Sequence, residues 1–202
     1  MRVLASRIFL GMAVVAMGLA AAGQAQAATI TFDSLEVATG GIIDVPSPYI
    51  ESGFQITGTP LNTLSQDDSH YAGSAGLLVA ASTGQATLEA VGGTPFNLLS
   101  IDLSFVEPFG VSDLVTFTGT LAGGGTVMQS FQPTMFGFQQ FDFGPSFTNL
   151  TSVSWLQGQG GSFNGHQFDD IVLQTVPEPA TLLLMGTGIA AAASRRRQQR
   201  RA

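Results

Sequence analysis

The sequence contains no cysteine and no lysine, and only two histidines. Without cysteine there is no disulfide and no thiolate nucleophile, so any exported domain must be held by its own core. Two histidines and no cysteine also leave too few ligands for a zinc centre. The seven basic residues are all arginines, and all lie near the two ends: Arg2, Arg7, Arg195, Arg196, Arg197, Arg200 and Arg201. Thirteen of the 14 acidic residues lie between Ala28 and Val176, a stretch with no arginine or lysine. Such a stretch cannot neutralise a phosphate backbone, which excludes nucleic-acid binding through a basic patch. Its carboxylates must be solvated, hydrogen-bonded or paired with a metal.

Each end has the form of a targeting signal. Arg2 and Arg7 make a short basic region, residues 8–22 are uncharged and apolar, and Ala25-Gln26-Ala27 places small residues at the −3 and −1 positions of a signal-peptidase site. Residues 1–27 are therefore expected to be a signal peptide, with Ala28 as the first mature residue. At the other end, Val176-Pro177-Glu178-Pro179 leads into an apolar run over 180–193 and then the arginine cluster. An apolar helix followed by arginines is a stop-transfer arrangement, and this run falls below the ~20 residues a full span needs.

Pro177-Glu178-Pro179, the adjoining apolar run and the arginine-rich end together resemble the PEP-CTERM sorting signal, here over 176–202. The resemblance implies recognition of the tripeptide by exosortase, a membrane-embedded cysteine transpeptidase. It also implies transient residence in the inner membrane of a Gram-negative bacterium, then delivery to the cell surface or extracellular matrix, in a setting of exopolysaccharide and biofilm.

Between the signals lie roughly 150 residues, enough for one core. They are rich in Gly, Thr, Ser and Phe, which points to strands and turns. Thr29-Ile30-Thr31-Phe32, residues 53–57, 77–81 and 86–91 read as strands, and 59–76 as a long loop. In 97–105, Leu99, Ile101, Leu103 and Phe105 fall on one face and Ser100, Asp102 and Ser104 on the other. Residues 114–121 repeat the alternation, with Val115 and Phe117 inward. Gly123-Gly124-Gly125 then turns the chain into 126–131 as a hairpin. Three more strands are expected at 138–143, 150–155 and 167–174. The fold class is all-β: an antiparallel β-sandwich over 28–175. The order of segments 30–33, 96–103 and 168–173 resembles the jelly-roll domains of carbohydrate-binding modules.

No constellation argues for catalysis. There is no G-x-S-x-G elbow, and Asp67-Asp68-Ser69-His70 is too local to be a triad. Paired carboxylates for glycoside hydrolysis stay open, because acids are plentiful. The first and last strands of a jelly roll are commonly neighbours, which would bring Asp33, Asp169 and Asp170 to one edge. Two readings of these acids stay open: a structural Ca²⁺ site with oxygen ligands, or ordinary solvated carboxylates. Tyr49 and Tyr71, in loop-like segments, are candidates for stacking on sugar rings, whereas Trp155 reads as core. The leading expectation is a non-enzymatic exported surface or matrix protein. The alternatives are a dedicated carbohydrate-binding module, for which coplanar exposed aromatics would speak, and a secreted hydrolase, for which a cleft with a desolvated acid would.

Overall fold

The computed structural model describes residues 25–81, 84–107, 114–157, 165–176 and 188. Residues Gln26–Val176 form one compact unit. Among the described residues its elements are thirteen strands and one short 3₁₀ turn: β1 (Ala27–Ile30), the turn Asp33–Leu35, β2 (Ile42–Val45), β3 (Tyr49–Glu51), β4 (Phe54–Thr57), β5 (Leu61–Leu64), β6 (Leu77–Val79), β7 (Gln85–Ala90), β8 (Phe96–Phe105), β9 (Val115–Leu121), β10 (Thr126–Phe131), β11 (Gln139–Asp142), β12 (Leu150–Leu156) and β13 (His166–Thr175).

All pairings are antiparallel, and hydrogen bonding links every strand into one network. The network has a waist. Its halves meet only at the pair Leu150↔Phe96 between β12 and β8. On one side lies the order β2-β5-β6-β13-β8-β11, with β1 beside the C-terminal half of β13; on the other lies β3-β4-β7-β12-β9-β10. These are the two layers of a sandwich, and aromatic side chains show them packed face to face. Phe54 meets Phe96 at 5.4 Å, Trp155 meets Phe168 at 5.0 Å, and Phe117 meets Phe143 at 5.2 Å, all between the layers. The first two contacts and the third are edge-on or tilted towards it, the arrangement that ring quadrupoles favour. Phe131 of β10 and Phe141 of β11, at 5.1 Å, close one open edge.

Local sequence explains most of these strands. In β9, Val115, Phe117 and Gly119 are buried while Thr116 and Thr118 face outward, and the glycine turn leads into β10 in register, as expected. Three strands have no such signature. β2 and β3 are short and largely exposed, and β5 is buried at all four positions, so none shows a readable alternation. The expected loop over 59–76 therefore contains a strand.

The alternation expected in 97–105 is corrected at one position. Leu99 is 41% exposed, and Leu98 takes the inward place. The cause is a pair of bulges. From Asp169↔Asp102 to Val172↔Ser100 the last strand has one extra residue, and from there to Leu173↔Leu98 the extra residue is in β8. Each added residue reverses which side chains face the core. Phe96 and Leu98 are thus buried before the irregularity, and Ile101, Leu103 and Phe105 after it. Asp170 takes up the strain of its own bulge, at φ 41°.

Phe168 touches Phe32, Trp155 and His166 and is fully buried at the centre of both layers. Phe168→Ala is expected to destabilise the fold by about 3–5 kcal/mol, read as a lowered denaturant midpoint with an unchanged slope.

Candidate functional site

The carboxylates come first, because no arginine or lysine meets them in 28–176. β1 does pair with β13, placing Ile30 opposite Ile171, so the segment after β1 lies near Asp170. Burial, together with the charges of Asp33 and Glu51, raises the Asp170 carboxyl above its usual range. Asp169 is placed differently. It is 2% exposed, lies directly opposite Asp102 of β8, and accepts from the Asp170 N–H at 2.8 Å and from the Ser74 side chain. Burial pushes its carboxyl up to about 7, with Asp170 and Asp102 adding to the rise. Asp102 is raised as well, by burial and by Asp170.

The structure thus brings Asp33, Glu51 and Asp170 into one neighbourhood and sends Asp169 to another. Glu51 is already engaged, accepting from the Thr31 N–H at 3.0 Å, the Phe32 N–H at 3.2 Å and the Tyr49 hydroxyl at 2.7 Å. Among the described residues no group of three or more His, Asp or Glu side chains is arranged to hold a metal ion. Asp33 and Asp170, two of the three residues in the calcium reading, share one neighbourhood, and Asp169 lies opposite Asp102.

Both tyrosines are tied down through their hydroxyls. Tyr49 bonds Glu51 and Ser34 and lies against Phe32 at 5.4 Å. Tyr71 donates to Glu36. Burial pushes each phenol up to about 12, with the carboxylate partner contributing. Trp155 is core, as expected, at 2% exposure.

A cleft that the sequence does not announce lies at one end of the second layer. It is a shallow cleft of about 470 Å³, open to solvent, and its lining includes Ser47, Thr57, Thr59, Ala81, Gln85 and Thr87. Two glycines complete it. A Cβ on Gly58 would sit 2.7 Å from Leu61 Cδ2, so a side chain there would require Leu61 to shift. Among the described residues no acid, base or aromatic ring lines the cleft, and neither tyrosine reaches it. The Ser47 hydroxyl accepts from the Gly58 N–H at 3.2 Å. From Thr57 the strand register runs to Thr87, Ser154 and Thr118 on neighbouring strands. Cross-strand partners share a face, so four hydroxyls line up at the strand spacing of about 4.8 Å. No motif marks this row, because its members lie far apart in sequence and look like ordinary outward-facing strand residues.

Ala25 precedes β1 and is exposed, while Ala27 and Ala28 lie within β1, paired with Gln174 and Leu173. Pro177, Glu178 and Pro179 lie outside the described residues. Among those described, no helix is long and apolar enough to cross a membrane.

Residues 175–197 match the PEP-CTERM protein-sorting motif. The chain carries that sorting signal, which marks an exported protein sorted through the membrane. No curated protein matches the sequence. Among solved structures, the chain is similar to a family 29 carbohydrate-binding module from Piromyces equi, at 13% identity and a TM-score of 0.45, covering 76% of this chain and 93% of that one. It is also similar to the CBM22-1 xylan-binding domain of Paenibacillus barcinonensis Xyn10C, at 15% identity and a TM-score of 0.44, covering 79% and 100%. An exo-beta-agarase structure gives 11% identity and a TM-score of 0.44, covering 75% of this chain and 25% of that one. At scores below 0.5 these likenesses define neither a ligand nor a site in this chain.

Asp169 makes stability depend on pH. Its folded-state carboxyl holds a proton up to about pH 7, against an ordinary value of 3.8, so its contribution is full below about pH 4 and lost as pH rises through 7. Buried His166 works the other way. Burial lowers it to about 4 from 6.5, so its contribution is lost as pH falls through that range. Above about pH 6.5 the Asp169 effect stands clear of it. Asp169→Asn is expected to melt higher than the wild type at about pH 8, by roughly 4 °C or more, with the gap closing towards pH 5. A constant gap would show that Asp169 is already ionised in the folded protein.

Proposed function

We propose that this is a non-catalytic exported protein, processed by exosortase at its C-terminal signal, whose β-sandwich contacts a neutral polysaccharide of the cell surface or matrix. The observation that carries the polysaccharide part is the uncharged cleft continued by the hydroxyl row Thr57, Thr87, Ser154 and Thr118. Among the described residues, the Thr59 hydroxyl and the Gln85 amide have no partner within the protein. Neutral donors and acceptors without a charged neighbour suit sugar hydroxyls, and they offer nothing to a phosphate or to a cationic ligand.

The absence of an aromatic ring from this lining means that binding here is by hydrogen bonds without stacking. That favours weak, repeated contact along a polymer over tight capture of a short oligosaccharide. The two raised, adjacent acids Asp102 and Asp169 do not line the cleft, so the surface that would meet a glycan lacks a glycosidase acid pair. The sorting part is supported by the motif match over 175–197 and by the concentration of arginine beyond Val176. Arginines resist transfer through hydrocarbon and so stop translocation.

Affinity electrophoresis of the full-length chain in detergent through gels of neutral and of anionic polysaccharides tests the cleft. Retardation by at least one neutral polymer is expected, weakened several-fold by Gln85→Ala or Thr87→Val and unchanged by Tyr71→Phe. Retardation by anionic polymers alone, or indifference to both cleft variants, would remove the cleft from the account. The sorting part is tested separately. In a host with exosortase, protein recovered from the cell surface should have lost its arginine tail, and Glu178→Ala should retain it while folding and export proceed.

A further inference from the structure

We propose that His70 is a pH-operated latch that pins the 66–76 segment over the outer face of the first layer. The inference does not depend on the cleft reading.

The segment runs between β5 and β6 and crosses the outward side of β13. Its two ends are fixed by contacts that do not involve His70. At the start, the Ser65 hydroxyl accepts from the Gly41 N–H at 2.7 Å and donates to Asp67. At the end, Ala75 is fully buried and the Gly76 carbonyl accepts from the Thr63 hydroxyl at 3.0 Å. The middle is held at His70. Its carbonyl accepts from the Gln167 amide of β13 at 2.7 Å. Its ring lies between two carboxylates, with Nδ1 2.7 Å from Asp68 Oδ1 and Nε2 3.1 Å from Glu107 Oε1. Asp68 belongs to the segment itself, whereas Glu107 follows β8. The Glu107 contact is therefore the one that ties the segment to the sheet by an ion pair.

A neutral imidazole carries one N–H and can donate to only one of these carboxylates; the imidazolium donates to both. The second contact thus exists as a hydrogen bond only in the protonated ring. No other group can replace it. Between Ala28 and Val176 there is no lysine or arginine, and the other histidine, His166, is buried. Protonated His70 is the one side chain in this stretch able to offer a positive charge to the acids around it. The groups facing it are Asp68 and the Ser69 hydroxyl from its own segment, at 3.4 Å for the latter, Glu107 from the end of β8, and Gln167 from β13. Beyond them, Glu36 holds Gln66 and Tyr71, and Asp169 holds Ser74, so more carboxylates ring the segment and none supplies a cation. Loss of the ring proton leaves two carboxylates competing for one donor, and the link to β8 opens. Opening uncovers Gln167, whose Oε1 is buried and has no hydrogen-bond partner in the closed form.

Hydrogen–deuterium exchange of the full-length chain in detergent, corrected for the intrinsic pH dependence of amide exchange, reads the latch directly. From about pH 5.5 to about pH 8, protection across 66–76 is expected to fall roughly tenfold more than protection across β9 and β12, whose change reports the effect of Asp169 on the whole fold. Glu107→Gln and His70→Gln should each abolish this excess fall, and Asp169→Asn should leave it intact. A fall across 66–76 no larger than that across β9 and β12 in the wild type would overturn the latch. So would a full pH response in Glu107→Gln, or a response that disappears in Asp169→Asn, which would assign it to the buried acid instead.

Discussion

A domain of thirteen acids without one arginine or lysine cannot form a conventional salt bridge, and much of its architecture follows from that constraint. Cohesion has to come from apolar packing, and the seam between the layers is accordingly aromatic, with phenylalanines from both layers meeting around Trp155 and Phe168. The acids are held by neutral donors. Glu51 takes two backbone N–H groups and a phenol, Glu36 takes an amide and a phenol, and Asp67 takes the Ser65 hydroxyl. Those hydrogen bonds lower the Glu36 and Asp67 carboxyls, as expected for a charged form that is well solvated by the protein. Where burial outweighs the donors, as at Asp102, Asp169 and Asp170, the carboxyls rise instead.

The parts of this arrangement that could be read from sequence are those in which one strand face is buried and the other wet. The strands β9 and β12 alternate in that way, with Val115, Phe117, Val153 and Trp155 inward. β5 escaped because both of its faces are covered, and a strand buried on both sides has no period to detect. The phase of β8 was misplaced at Leu99 because a bulge depends on the partner strand. Nothing within residues 96–105 tells where β8 takes up its own extra residue against β13. Site residues suffered most from the same limit. Asp33 and Asp170 could be brought together by assuming that first and last strands pair, but the opposite orientation of Asp169 follows from strand alternation at a bulge. The row Thr57, Thr87, Ser154 and Thr118 comes from four strands, and only the register assembles it.

The likeness of this sandwich to carbohydrate-binding modules is one of strand arrangement at low identity. The surface proposed to contact sugars consists of hydroxyl and amide groups on a strand face and in a cleft beside Gly58. Tyr49 and Tyr71 each have a phenol hydrogen-bonded to a glutamate.

The two ends of the compact unit lie side by side. Thr175 N–H donates to the Gln26 carbonyl at 2.9 Å, and β1 lies along the last turns of β13. Any load applied to the chain beyond Val176 therefore enters the domain through β13, an interior strand that is hydrogen-bonded to β8 on one edge and to β1 and β6 on the other. Pulled along its own axis, such a strand resists in shear, with many hydrogen bonds strained together, whereas a strand at the sheet edge can be peeled away one pair at a time. For a protein held by its C-terminal end, the attachment point is the strand that mechanical force can least easily extract.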